Sequence, residues 1–118
     1  MLEKTVERYF IKKISARGFL TLKFLSTIRG VPDRIVFGAG RCYLVEFKNG
    51  SEGRLSKLQE FMFRRFAEHG FPVYVLRTKA EVDAFMQKIP SDRDFEREVM
   101  PCDIQALRVP ASGDRMDP

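Results

Sequence analysis

Histidine and cysteine are scarce in this chain of 118 residues, which holds one His and two Cys. Cys42 and Cys102 stand far apart, with no Cys-x-x-Cys and no histidine pair, which argues against a zinc site. A single imidazole also removes most arrangements built on histidine chemistry. No apolar run approaches the length of a membrane span. Met1-Leu2-Glu3-Lys4 leads straight into an amphipathic pattern rather than a signal peptide. A soluble, intracellular (cytoplasmic) protein with reduced, structural thiols and no membrane partner is the expectation.

What is present is a foldable core and an uneven charge. Eleven Phe among 44% hydrophobic residues suffice for one domain of this length, not two. The net charge of +5 is split. Residues 1–90 carry 17 Lys/Arg against 9 Asp/Glu, whereas residues 91–118 carry 4 against 7. A basic body of this kind suits a polyanion, most simply nucleic acid held through its phosphates.

The chemistry concentrates in Gly30-Val31-Pro32-Asp33-Arg34-Ile35-Val36-Phe37 and Cys42-Tyr43-Leu44-Val45-Glu46-Phe47-Lys48. Two β-branched and aromatic runs around a short Gly-containing break read as an antiparallel hairpin. A turn centred on Ala39-Gly40 places Phe37 opposite Cys42, Ile35 opposite Leu44, and Asp33 opposite Glu46. Opposed side chains leave on the same face, roughly 5 Å apart. Strand alternation adds Lys48 to that face, two residues on from Glu46. Two carboxylates so close repel unless a cation lies between them. Hard oxygen ligation with open positions suits Mg²⁺ or Mn²⁺, and a lysine beside such an ion is the arrangement of a phosphodiester hydrolase. The simpler account is an exposed ion pair worth ~0–1 kcal/mol, and Pro-Asp at the matching offset on the paired strand counts against it.

Pro32-Asp33 followed by Glu46-Phe47-Lys48 resembles the PD-(D/E)XK nuclease signature. The wider string adds Gly53-Arg54-Leu55-Ser56-x-x-Gln59 and Gly70-Phe71-x-Val73-Tyr74-Val75. It is similar to the virus-type replication-repair nuclease (VRR-Nuc) branch, over about residues 3 to 86. That resemblance implies a metal-dependent endonuclease acting on DNA, structure-specific for four-way junctions or flaps, a homodimer, and a phage-encoded or bacterial stand-alone type. Asp33 and Glu46 would hold Mg²⁺ or Mn²⁺ with the Phe47 carbonyl, and Lys48 would align the water. The alternative is a catalytically inactive DNA-binding or assembly module of the same fold; degenerate relatives lose an acid or the lysine, and this chain keeps all three.

Along the chain, residues 2–17 read as a helix with Leu2, Val6, Phe10 and Ile14 at four-residue spacing. Glu3 and Glu7 fall toward its apolar side, where an acid near a helix N-terminus has the dipole as a sufficient reason. The resemblance assigns Glu7 to the metal site. Lys12, with Arg8 and Lys13, either meets DNA or keeps the helix soluble. Residues 19–25 read as a strand, where Lys23 matches a frequent Lys-Phe of the family and either supports the carboxylates or touches phosphate.

Residues 49–54 form a flexible polar loop whose Arg54, with Lys57 beyond it, is a phosphate candidate. Ser56-Lys57-Leu58-Gln59 is a capping box that accounts fully for Gln59, while the resemblance turns Gln59 toward the metal site. Leu58, Phe61, Met62, Phe66 and His69 are the expected buried stripe of the next helix. Residues 71–77 suit a strand buried on both faces, parallel to its neighbour through a helical crossover. Thr78-Lys79-Ala80-Glu81 caps a last helix through Val82, Phe85 and Met86, closed by Pro90.

The resulting α/β order is the αβββαβ core of a restriction-endonuclease-like fold, a mixed sheet flanked by helices, over residues 1–90. Residues 91–118 are expected to form an acidic extension, with a helix over 92–100 and a strand over 104–109, covering the core or reaching a second subunit.

Overall fold

Seven elements follow one another in the expected order: α1 (Glu3–Ala16), β1 (Leu20–Lys23), β2 (Arg34–Gly38), β3 (Arg41–Phe47), α2 (Lys57–Glu68), β4 (Val73–Leu76) and α3 (Lys79–Lys88). The computed structural model describes residues 2–91. The expected acidic extension, its helix and strand, and Cys102 lie outside the described residues. The strands form one sheet in the order β1-β2-β3-β4, antiparallel up to β3 and parallel between β3 and β4. Among the described residues no helix is long and apolar enough to cross a membrane.

The hairpin register is the expected one. Gly38 pairs with Arg41, Phe37 with Cys42 and Ile35 with Leu44. Ala39 and Gly40 both have positive φ, 53° and 73°, as a type I′ turn requires, and that turn matches the twist of the flanking strands. Gly38 has a second constraint, because a Cβ there would lie 2.3 Å from the Phe19 ring.

The core lies on one face of the sheet, under α1 and α3. Val6, Phe10 and Ile14 from α1 are fully buried against Val36, Val45, Phe47, Leu76, Val82 and Phe85. Phe10 sits edge-on to Phe47 at 5.3 Å between centroids and touches Phe85 at 5.7 Å. Phe47 therefore anchors the end of β3. Because successive strand residues alternate faces, sinking Phe47 into this core sends Glu46 and Lys48 to the opposite face. A slip of one residue would reverse all three. Phe10→Ala should accordingly cost about 3–5 kcal/mol, read as a lower urea midpoint at unchanged slope; a loss below about 1 kcal/mol would mean the ring is not the core's centre.

Three expectations are corrected. Leu2 does not continue the α1 stripe: it is the N-cap, with extended φ and ψ, and is 70% exposed. In α2 the expected stripe of Leu58, Phe61, Met62, Phe66 and His69 holds only in part, with Met62 and Phe66 half-buried. Phe63 is the buried residue, Leu58 and Phe61 are about half exposed, and His69 is the exposed C-cap. Apolar residues span a wide arc of this helix opposite Lys57, Glu60, Arg64 and Glu68, so periodicity alone does not choose its inner side; the line Gln59, Phe63, Phe66 faces inward, with Phe66 edge-on to Phe24. Finally, β4 lies at the end of the strand order, so only Leu76 in it is buried and Val73 to Val75 are half-buried.

Candidate metal centre

Asp33 precedes β2 and Glu46 is the penultimate residue of β3, so continuing the register sets them opposite each other. The Asp33 Oδ2 accepts a hydrogen bond from the Phe47 amide at 2.8 Å, which ties the carboxylate to the end of β3. Glu46 is 2% exposed, a buried acid on the face opposite Phe47. Lys48 Nζ lies 3.3 Å from Glu46 Oε2. Asp33, Glu46 and Lys48 thus share one face at one end of the sheet.

Gln59 closes the cluster from α2. Its Oε1 accepts from Lys48 Nζ at 3.1 Å and from the Ser56 amide at 3.0 Å, and its Nε2 donates to Glu46 Oε2 at 3.0 Å. The Gln59 amide donates in turn to the Ser56 hydroxyl at 3.0 Å. The capping box and the site contact are therefore one arrangement: the cap points the side chain at the strand ends, where it bridges the lysine and the acid. By contrast, Thr78 caps α3 through the Glu81 amide, and the Glu81 carboxylate reaches past it to the Arg77 amide rather than completing a box.

The electrostatics of the cluster are unbalanced. Burial, then the charge of Asp33, pushes the Glu46 carboxyl up to about 7 against the pull of Lys48 and Gln59. Asp33 is also raised, first by burial, with the Glu7 charge adding to it and the Phe47 amide opposing it. Glu46 Oε1 is buried and has no hydrogen-bond partner. A buried carboxylate oxygen without a partner is costly, and one lysine does not neutralise two acids. A divalent cation would supply both the missing partner and the missing charge. Among the described residues no group of three or more His, Cys, Asp and Glu side chains is placed to hold a metal. The donor set is two carboxylates, hard oxygen ligands of the kind Mg²⁺ takes together with carbonyl, water or phosphate oxygens. The Phe47 carbonyl would lie on the same edge as such an ion, since its amide faces Asp33 and the N–H and C=O of one strand residue point the same way.

Glu7 is engaged by Arg34, whose Nε lies 2.9 Å from Glu7 Oε2. Lys23 ends β1 and pairs with Arg34 at the Asp33 end of the sheet. Lys57 opens α2 beside the Ser56 cap, and Arg54 lies three residues before it; both are exposed. Lys12 is exposed on α1, more than a turn beyond Glu7.

Three contributors were not foreseen: Arg34, Asn49 and Arg77. Arg77 Nη1 donates to the Gly50 carbonyl at 2.9 Å and to the Gly53 carbonyl. Asn49 Oδ1 accepts from the Glu3 amide at 2.6 Å. The loop expected to be flexible is thus fastened to the end of β4 and the start of α1. No local signal marks these contacts, because each joins residues more than 20 positions apart.

Among solved structures the fold recurs in a chain described as "VRR_NUC domain", at 27% identity and a TM-score of 0.69, over 75% of this chain and 97% of that one. A second, "VRR_NUC domain protein", matches at 15% identity and a TM-score of 0.60, over 75% of this chain and 87% of its own, a likeness of fold alone. No family model matches the sequence, and no curated protein matches it.

Proposed function

We propose, from the premise that this chain is a VRR-Nuc domain, that it hydrolyses DNA phosphodiester bonds with a divalent metal, Mg²⁺ or Mn²⁺, held by Asp33, Glu46 and the Phe47 carbonyl. A nuclease-type domain is the coarser conclusion that the structural neighbours support. The observation that carries the finer one is the partnerless, buried Oε1 of Glu46 beside Asp33 and Lys48. When bound, a divalent ion at this site supplies Lewis acidity toward a phosphoryl oxygen and lowers the pKa of water.

The chain's own residues do the rest. Lys48, held between Gln59 and Glu46 with its side chain 16% exposed, presents a fixed ammonium to the nucleophile or to a phosphate oxygen as negative charge develops. Gln59 keeps Lys48 and Glu46 at their spacing. Arg54 and Lys57 sit at the same end and meet phosphates flanking the cut, with Lys23 and Lys12 serving strands farther out. Contacts of this kind read backbone and shape rather than base sequence. A preference for branched DNA, four-way junctions or flaps, and action as a homodimer, extend this reading from the family resemblance.

The test is digestion of matched duplex, flap, single-stranded and four-way DNA, with RNA counterparts, in Mg²⁺, Mn²⁺ and EDTA. We expect metal-dependent products, strongest on branched DNA. Binding without products on every substrate would favour the inactive module, and stronger cleavage of the RNA set would move the substrate class.

A further inference from the structure

The third acid of the region, Glu7, is paired with an arginine through its Oε2. Asp33 and Arg34 are sequence neighbours, so strand alternation aims them at opposite faces: Asp33 toward Glu46, Arg34 toward α1. There the guanidinium meets Glu7 at 2.9 Å, with side chains only 12% and 22% exposed. The pair is also close to the site, since the charge of Glu7 is felt by Asp33. A guanidinium keeps its charge at every working pH and binds carboxylate as a charge-assisted donor. To use Glu7, a second divalent ion would have to expel Arg34 and leave a largely buried cation without its partner, an unfavourable exchange.

We propose that Arg34, by holding Glu7, stands in the place of a second cation and confines the site to a single divalent ion on Asp33 and Glu46. The proposal rests on those two acids binding a metal at all, and it makes Glu7 and Arg34 positioning residues. Arg34 offsets the third negative charge without occupying coordination space, so Asp33 and Glu46 remain the whole protein carboxylate set.

Mn²⁺ titration of the full chain by calorimetry, with electron paramagnetic resonance on the same samples, decides it without any activity readout. The unmutated protein should bind one Mn²⁺ with the spectrum of an isolated ion. Glu7→Gln should bind one with affinity within about threefold, less than the tenfold that corresponds to ~1.4 kcal/mol. Arg34→Met, which frees Glu7, should take up a second ion and show spin coupling. Two ions in the unmutated chain, a loss of about tenfold or more in Glu7→Gln, or a folded Arg34→Met that still binds one ion would overturn the role of Arg34. If Arg34→Met does not fold by circular dichroism, the stoichiometry of the unmutated chain and the affinity of Glu7→Gln decide alone. Absence of Mn²⁺ binding, or binding unaffected by Asp33→Asn, would instead remove the metal reading beneath it.

Discussion

Lys48→Ala should lower metal-dependent cleavage about a hundred- to a thousandfold while leaving Mn²⁺ binding intact, and Asp33→Asn should lower it at least as far and lose the ion as well. The two variants separate the cluster's roles. Asp33 is raised in pKa mainly by burial and is fixed to the Phe47 amide, so its amide replacement keeps the shape and removes the charge a cation needs. Lys48 is no ligand. Its ammonium is held 3.1 Å from Gln59 Oε1 and 3.3 Å from Glu46 Oε2, and a charge preorganised at a reacting phosphate typically contributes ~10²–10³ in rate. Lys48→Arg should not restore the rate, because the longer planar fork cannot reproduce a point charge in the Gln59 cradle. Single-turnover kinetics at saturating Mn²⁺, with calorimetry for the ion, gives both quantities. A Lys48→Ala protein that cleaves within about tenfold of the unmutated one would remove lysine from the mechanism.

Glu46→Gln should abolish Mn²⁺ binding and yet make the metal-free protein more stable above neutral pH. In the folded chain the carboxyl is pushed up to about 7, against an ordinary value of 4.5. Below about 4.5 the group is protonated in both states and contributes no difference. Between about 4.5 and 7 the folded state keeps a proton that the unfolded state has released, so the native state binds more protons and stability falls as pH rises. Above about 7 the cost of the buried charge is fully present. Asp33, also raised, adds in the same direction. Glutamine keeps an acceptor for Lys48 and Gln59 and removes that cost.

In EDTA the melting temperature of Glu46→Gln should therefore exceed that of the unmutated chain by more at pH 8 than at pH 5.5. The gain is on the order of 4–8 °C for each kcal/mol of burial cost removed. With Mn²⁺ the order should reverse at pH 8, because only the unmutated site would gain the stabilisation that ligand binding confers on the native state. Equal melting temperatures in EDTA at pH 8 would show that Glu46 is not strained without an ion.

The same residues separate what is local from what is not. The hairpin register was legible because a two-residue turn with Gly at its second position leaves little freedom, and alternation then carries Asp33, Glu46 and Lys48 to one face. The Ser56 cap was legible for the same reason, since its partners are three residues apart. The inward side of α2 was not. Apolar residues span a wide arc of that helix, and Phe63 rather than Phe61 is buried on the side where Gln59, four residues earlier, meets Glu46. Nor was β4 legible as an edge, because an apolar run does not state how many neighbours a strand has.

The sequence by itself determined the order of elements, the pairing of β2 with β3, and the meeting of two acids and a lysine, all consequences of short-range geometry with periods of two and 3.6 residues. Only the tertiary structure decided that Glu46 is buried with one oxygen unmatched, that Glu7 belongs to Arg34, and that Arg77 and Asn49 fasten the loop beyond Lys48. Those outcomes depend on which distant surfaces exclude water together, and burial of that kind is a property of the assembled chain.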